Sequence, residues 1–219
     1  MRLQTKTTFF YLITTFIVLA IMILVSILLF RQFSINSAKI HSQTVAEIVR
    51  VGLTELMING VIDKRENYLN RIISLEGLLS TRVTRSDHVR KQYQEGLESE
   101  KIHDDIDKQV LNTGEPVFIL ENESMNPILR STIPFIATAD GTPNCLVCHQ
   151  VPAGTVLGTV TIRTSIGHLK SSAITTVSIL SAVVGFFSII TLFFFRRLFQ
   201  PLLTTTKDVQ RVVAKAKDG

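Results

Sequence analysis

Two long apolar runs without a charged residue constrain this chain more than any other feature of its sequence. The first covers residues 9–30 and the second residues 172–195. An α-helix needs roughly 20 apolar residues to cross the hydrocarbon core of a bilayer, and each run is long enough. A cleaved signal peptide is the alternative for the first run, but its apolar core would be unusually long and no small-x-small cleavage site follows it. The sequence therefore predicts two transmembrane helices.

Basic residues near the ends of these runs predict the orientation of the chain. Two basic residues precede the first run, and an arginine pair directly follows the second. Because cytoplasmic flanks carry the excess of Lys and Arg, we expect residues 1–8 and 196–219 to be cytoplasmic. Residues 31–171 would then lie in the periplasm of a Gram-negative cell, held at its inner membrane. This segment has 15 basic and 16 acidic residues, so the net charge of +5 belongs to the termini and does not indicate nucleic-acid binding.

The spacing of apolar residues predicts an α+β domain between the two membrane helices. Apolar side chains recur at helical spacing up to residue 57, and Asn59-Gly60 is a helix stop, so a long first helix should leave the membrane and end near residue 59. Pro134 should confine its strand to a sheet edge or a bulge. Such an order indicates helices packed on a small antiparallel sheet. The further elements expected are helices at 63–73, within 86–100 and at 104–111, and strands at 78–84, 116–120, 128–137 and 158–164.

The strongest chemical signal is the segment C-L-V-C-H, in which the only two cysteines, Cys145 and Cys148, are followed by His149. C-x-x-C-H is the attachment motif of c-type haem. Two thiols at this spacing can form thioethers to the two vinyl groups of one porphyrin, and the adjacent histidine then lies under the iron as its proximal ligand. We therefore predict one covalently attached haem c.

Other uses of the two cysteines are weaker. A disulfide or a redox pair does not require a histidine at the next position. A structural zinc site usually needs a second pair of ligands at similar spacing, whereas the remaining histidines are scattered singly. A third alternative is a chance histidine after an ordinary C-x-x-C pair.

The ligand on the other side of the iron is less constrained. Met57 is the leading candidate because it lies on the inward stripe of the long helix, although an ordinary core methionine is the commoner fate of such a residue. Two arginines on predicted strands around the motif, Arg130 and Arg163, could pair with haem propionates, but we favour the simpler case of solvated strand arginines. The remaining ligand candidates are Met125, His41, His88, His103 and His168, or water.

The segment after the second apolar run resembles the start of a HAMP linker. It has a basic pair, then Pro201, then an amphipathic stretch through Val209, Val212 and Val213. The resemblance covers residues 196–219 and implies a parallel helical bundle, hence a homodimer. The sequence holds no second HAMP helix and no output domain, so we expect either a piece of a longer receptor or a short protein without an output domain of its own.

The whole layout resembles the extracytoplasmic haem-c sensor domains of bacterial transmembrane receptors, with a PAS-like or Cache fold. Such domains often have a methionine shortly before a glycine at the end of the long first helix, as Met57 and Gly60 stand here. The resemblance implies a haem sensor of redox state or of a diatomic gas. It also implies a conformational signal that passes through the membrane helices to the HAMP-like segment and a cytoplasmic signalling partner.

A second hypothesis comes from a different class of protein. A membrane-anchored cytochrome c would carry electrons to and from a partner, as a subunit of a larger complex. A simple anchor needs neither a second membrane helix nor a HAMP-like segment, which favours the sensor. An enzyme is not expected, because the sequence shows no Ser/His/Asp, paired-carboxylate or phosphate-loop constellation.

Overall fold

The structure is a computed structural model that describes residues 3–121, 127–140, 144–167, 174–194 and 197, with side chains from residue 9 onward. It divides into two compact units, one of Met1–Phe30 with Ser172–Gly219 and the other of Arg31–Ser171. The helices are α1 Leu3–Ile58, α2 Arg65–Ile73, α3 Asp87–Tyr93, α4 Asp105–Thr113 and α5 Ile174–Phe194. The strands are β1 Leu78–Arg85, β2 Val117–Glu121, β3 Ile128–Ile136 and β4 Val156–Ser165.

Two helices are long and apolar enough to cross a membrane, namely the apolar part of α1 from Phe9 onward and α5. Their most apolar stretches have mean hydropathies of 3.0 and 2.4, and no part of either stretch is buried within the protein. Side chains of this kind are stable in hydrocarbon and unfavourable in water. Both helices are therefore compatible with the predicted membrane spans, while their orientation stays a prediction.

The long first helix ends where the sequence places its stop. Gly60 has a φ of +67°, a left-handed conformation that glycine adopts at no steric cost. The N–H groups of Gly60 and Val61 donate to the carbonyls of Met57 and Leu56 at 3.1 and 2.9 Å. These bonds satisfy the last carbonyls of α1, so the predicted helix end near residue 59 is confirmed.

The strands form one antiparallel sheet in the order β1-β4-β3-β2, which confirms the predicted α+β class and its small sheet. β4 lies at the centre, paired with β1 on one side and β3 on the other. β2 pairs with β3 only as far as Thr132, whereas β4 pairs with β3 along its whole length. β3 is therefore an inner strand over residues 128–132, and the predicted edge position holds only for its last residues, where Pro134 pairs with β4 alone.

The two faces of the sheet differ in chemistry. One face is apolar and packs on α1 and α2. Roughly 1.5–3 kcal/mol of stabilisation comes from each fully buried aliphatic side chain in such a cluster. The buried members of this core are Val45, Ala46, Val49, Ile72, Leu78, Val160 and Ile162.

The other face is polar and is covered by α4. Asp107 of α4 is completely buried, and its carboxylate accepts hydrogen bonds from Arg82 of β1 at 2.8 Å and Thr161 of β4 at 3.3 Å. Arg130 of β3 lies 3.5 Å from the same carboxylate and 2.7 Å from that of Asp104, the N-cap of α4. This ion network fixes α4 to three of the four strands.

Candidate haem site

A cleft lies at one end of the sheet, between the last turns of α1, the adjoining ends of β1, β3 and β4, and the loop that carries the cysteines. About 900 Å³ of space in and above this cleft is not filled by atoms, a volume that includes open solvent. Cys145, Cys148, His149 and Met57 all line this cleft, so the structure brings together the four site residues that the sequence singled out.

A single turn of 3-10 helix, Cys145–Val147, presents the motif to the cleft. Asn144 caps the turn, because its Oδ1 accepts from the N–H of Leu146 at 2.8 Å. The N–H groups of Cys148 and His149 both donate to the carbonyl of Cys145, at 3.3 and 3.0 Å. Both thiols are free, with Cys145 partly buried and Cys148 exposed, so each is available to form a thioether.

The imidazole of His149 is buried, with only 8% of the residue exposed. Its Nδ1 has no hydrogen-bond partner among the described residues. Burial also lowers the pKa of His149, which favours the neutral imidazole that binds metals. A neutral imidazole that lines the cleft can bind iron through one of its ring nitrogens, as a proximal ligand does. The residues present therefore fit a haem whose proximal ligand is His149.

Two side chains of α3 hold the motif from outside the cleft, and sequence reasoning missed both. The amide Nε2 of Gln92 donates to the carbonyl of Cys148 at 2.8 Å, and the hydroxyl of Tyr93 donates to the same carbonyl. The Tyr93 ring also meets the His149 ring edge-on, with centroids 5.5 Å apart and planes at 81°. No local pattern could reveal these contacts, because they join residues 55 and 56 positions apart in the chain.

Met57 lines the cleft, but it does not point into the apolar core, so the prediction that it belongs to the inward stripe of the helix was wrong. It is 42% exposed and belongs to neither cluster of buried apolar residues. Its role as an iron ligand stays a prediction, now with a location that suits it. His41, His88 and His103 are exposed and do not line the cleft, while Met125 and His168 lie outside the described residues.

The arginines that line the cleft are not those expected from the strand pattern. Arg130 is buried and ion-paired on the polar face, so the expectation that it is solvated was wrong. Arg163 is partly exposed and pairs with Glu121, and neither strand arginine lines the cleft. Arg50 of α1 and Arg85 of β1 line it instead. Strand alternation predicts which face a side chain occupies but not which element covers that face.

The described residues contain no group of three or more His, Cys, Asp or Glu side chains arranged to hold a metal ion. The porphyrin supplies four nitrogen ligands to the haem iron, so the protein needs to supply only the axial ligands. No protein-family model matches the chain, and no curated protein matches it. The chemistry of the site therefore has to be argued from its own residues.

Proposed function

We propose that this chain is a two-pass membrane sensor whose periplasmic domain carries one covalently bound haem c. The observation that supports it most is that Cys145, Cys148, His149 and Met57 all line one cleft. Only the first three are neighbours in sequence. Met57 reaches the cleft from the far end of a helix, so its presence there is independent of the motif.

Each residue has a distinct part in this proposal. Cys145 and Cys148 would form the two thioethers, His149 would be the proximal ligand, and Met57 would be the opposing ligand. The haem would supply an iron that changes oxidation state and that can take a small ligand such as NO or CO when a weak ligand leaves. Arg50 lines the cleft and pairs with Glu47, and its guanidinium would meet the negative charge of the propionates.

The elements that line the cleft suggest how a change at the haem would reach the membrane helices. Met57 is in the last turn of α1, whose first half is the apolar segment that would cross the membrane. β4 lines the cleft through Leu157 and Gly158 and ends at Ser165, close in sequence to the second apolar helix. A change of iron ligand would therefore act on both membrane-linked elements. The PAS-like or Cache fold, the HAMP-like role of residues 196–219 and the homodimer belong to this proposal and rest on the resemblance.

The cofactor is tested on denatured protein. Thioethers survive unfolding, so the chain should keep its haem on a denaturing gel, and a Cys145→Ala, Cys148→Ala double variant should lose it. Haem that washes out of the unmodified chain would overturn the assignment.

The orientation of the chain is tested with reporter fusions. A reporter fused after residue 100 should be periplasmic and one fused after residue 215 cytoplasmic, and the reverse pattern would refute the topology.

Electron transfer is the second candidate, and one observation favours it. Val147 within the motif is 79% exposed and Cys148 is exposed, so a soluble partner could approach the haem edge closely. The two functions are separated by cross-linking between cytoplasmic helices, for instance through cysteines placed at positions 209 or 213. Cross-linking that changes with reduction or NO supports the sensor, whereas cross-linking that ignores the haem state supports electron transfer.

A further inference from the structure

We propose that Gln92 and Tyr93 are positioning residues that hold the proximal ligand His149 in one orientation. This role rests on the haem site proposed above and adds to it. In metal sites, a ligating histidine is usually oriented by a hydrogen bond from its second ring nitrogen. Here Nδ1 of His149 is buried and has no partner among the described residues, so the imidazole needs another restraint.

Gln92 supplies that restraint through the main chain on both sides of His149. Its Nε2 donates to the carbonyl of Cys148 at 2.8 Å, and its Oε1 accepts from the N–H of Gln150 at 3.0 Å. One planar amide thus binds the residue before the histidine and the residue after it. Two such bonds from one rigid group restrict rotation of the intervening peptide units, and with them the direction of the His149 side chain.

Tyr93 acts on the same residue in two ways. Its hydroxyl donates to the Cys148 carbonyl, which therefore receives two donors from α3. Its ring contacts the imidazole edge-on, a favourable aromatic geometry that limits rotation of the histidine ring. Gln92 therefore fixes the main chain around His149, and Tyr93 adds a direct contact with the ring itself.

The end of α3 is itself held in place. Gln94 has a φ of +67°, the one positive φ at a described non-glycine residue. Arg85 donates to the carbonyls of Tyr93 and Gln94 at 3.4 Å each. The Nε of Arg85 lies 2.7 Å from buried Glu100, whose carboxylate also binds Arg65 of α2. A positive φ at a non-glycine residue persists only where the surrounding contacts hold it. The bonds from Arg85 therefore fix the end of α3 in this conformation.

The test uses the full-length haem protein in detergent, with the variants Gln92→Ala and Tyr93→Phe. Lys91→Ala is the matched control, since Lys91 is an exposed residue of the same helix. Both test variants should keep their haem on a denaturing gel. Their ferric electron paramagnetic resonance signals should broaden or split into more than one species, and their reduction potentials should shift. The control should match the unmodified protein in all three measurements.

Spectra and potentials that stay unchanged in both test variants would overturn the role of α3. If Gln92→Ala does not accumulate, Gln92→Leu decides the question, because it keeps an uncharged side chain of similar size and loses both hydrogen bonds. The same kind of shift is then expected, and no shift counts against the role. Loss of haem from the unmodified protein on the gel would instead refute the haem assignment, so the two failures are distinguishable.

Discussion

Gly158 of β4 lies directly against the main chain of Thr84 in β1. A Cβ atom added at Gly158 would be 2.5 Å from the Thr84 carbonyl oxygen, a distance that requires something to move. The obstacle is backbone within a paired ladder, so no flexible side chain can give way. Both residues also line the cleft, and the close approach of the two strands therefore shapes its floor.

Replacing Gly158 with alanine should destabilise the protein by roughly 1–3 kcal/mol, the usual cost of forcing an extra carbon into a packed site. Denaturant unfolding followed by circular dichroism measures the change. Gly60→Asn is the control, because Gly60 also lies at the cleft end of α1 but has open space around it and a φ that asparagine tolerates. A Gly158→Ala protein as stable as the control variant would contradict the strand spacing.

Replacing Asp107 with alanine should be the most damaging single change on the polar face. The carboxylate is completely buried, and its loss leaves the nearly buried Arg130 without one of its two acidic partners. Breaking a buried ion pair in this way costs about 3–5 kcal/mol. The neighbouring Asp105→Ala is the control, since that side chain is 97% exposed and pairs only with a surface lysine. Equal stabilities for the two variants, measured by denaturant unfolding, would rule out the network.

Acid should destabilise the domain through Asp104. The guanidinium of Arg130 lowers the pKa of Asp104 to about 2, from an ordinary value of 3.8. A carboxylate with a depressed folded-state pKa stabilises the fold above its unfolded pKa, and this contribution is lost as pH falls through the folded value. Stability measured between pH 5 and 2 should therefore decline steadily with acid. Asp104→Asn should lower stability at neutral pH and flatten the slope below pH 4, and an unaltered slope would exclude Asp104 as its source.

Replacing Met57 with alanine should remove one axial ligand of the proposed haem iron and leave the haem covalently bound. A thioether binds ferrous iron better than ferric, so its loss should lower the reduction potential. It should also abolish the weak long-wavelength charge-transfer band of iron–thioether bonding in the ferric protein. Absorption spectra and potentiometry measure both effects, with Met125→Leu as the control. A spectrum that changes only in the Met125 variant would indicate that Met125, and not Met57, is the iron ligand.

The helices and strands were largely predictable because local patterns determine them. The apolar stripe of α1 and the stop at Asn59-Gly60 are decided within a few residues, and β4 alternates because one of its buried faces is apolar and the other polar. The observed ends of some elements differ from the predicted ends where the backbone changes from one helix type to another. The helix expected from residue 63 begins as the 3-10 turn Ile62–Lys64 and becomes α-helical at Arg65.

The members of the candidate site were predictable where they are neighbours in sequence, and not where distant segments meet. Cys145, Cys148 and His149 form a motif, so their spacing alone made them candidates, and whether they bind a haem stays a prediction. Gln92 meets that motif across 56 positions, and nothing in its neighbourhood distinguishes it from a surface glutamine. Arg130 shows the same limit, because its burial depends on α4 lying over the polar face.

The central place of β4 has a consequence for the order of events during synthesis. β1 and β3 have no pairing with each other and meet only through β4, which is the last strand of the domain. Because synthesis runs from the N-terminus to the C-terminus, the C-L-V-C-H segment emerges before the strand that unites the sheet. Under the proposed haem assignment, Cys145 and Cys148 would be accessible on an unfinished fold, and β4 would complete the sheet after the haem is attached.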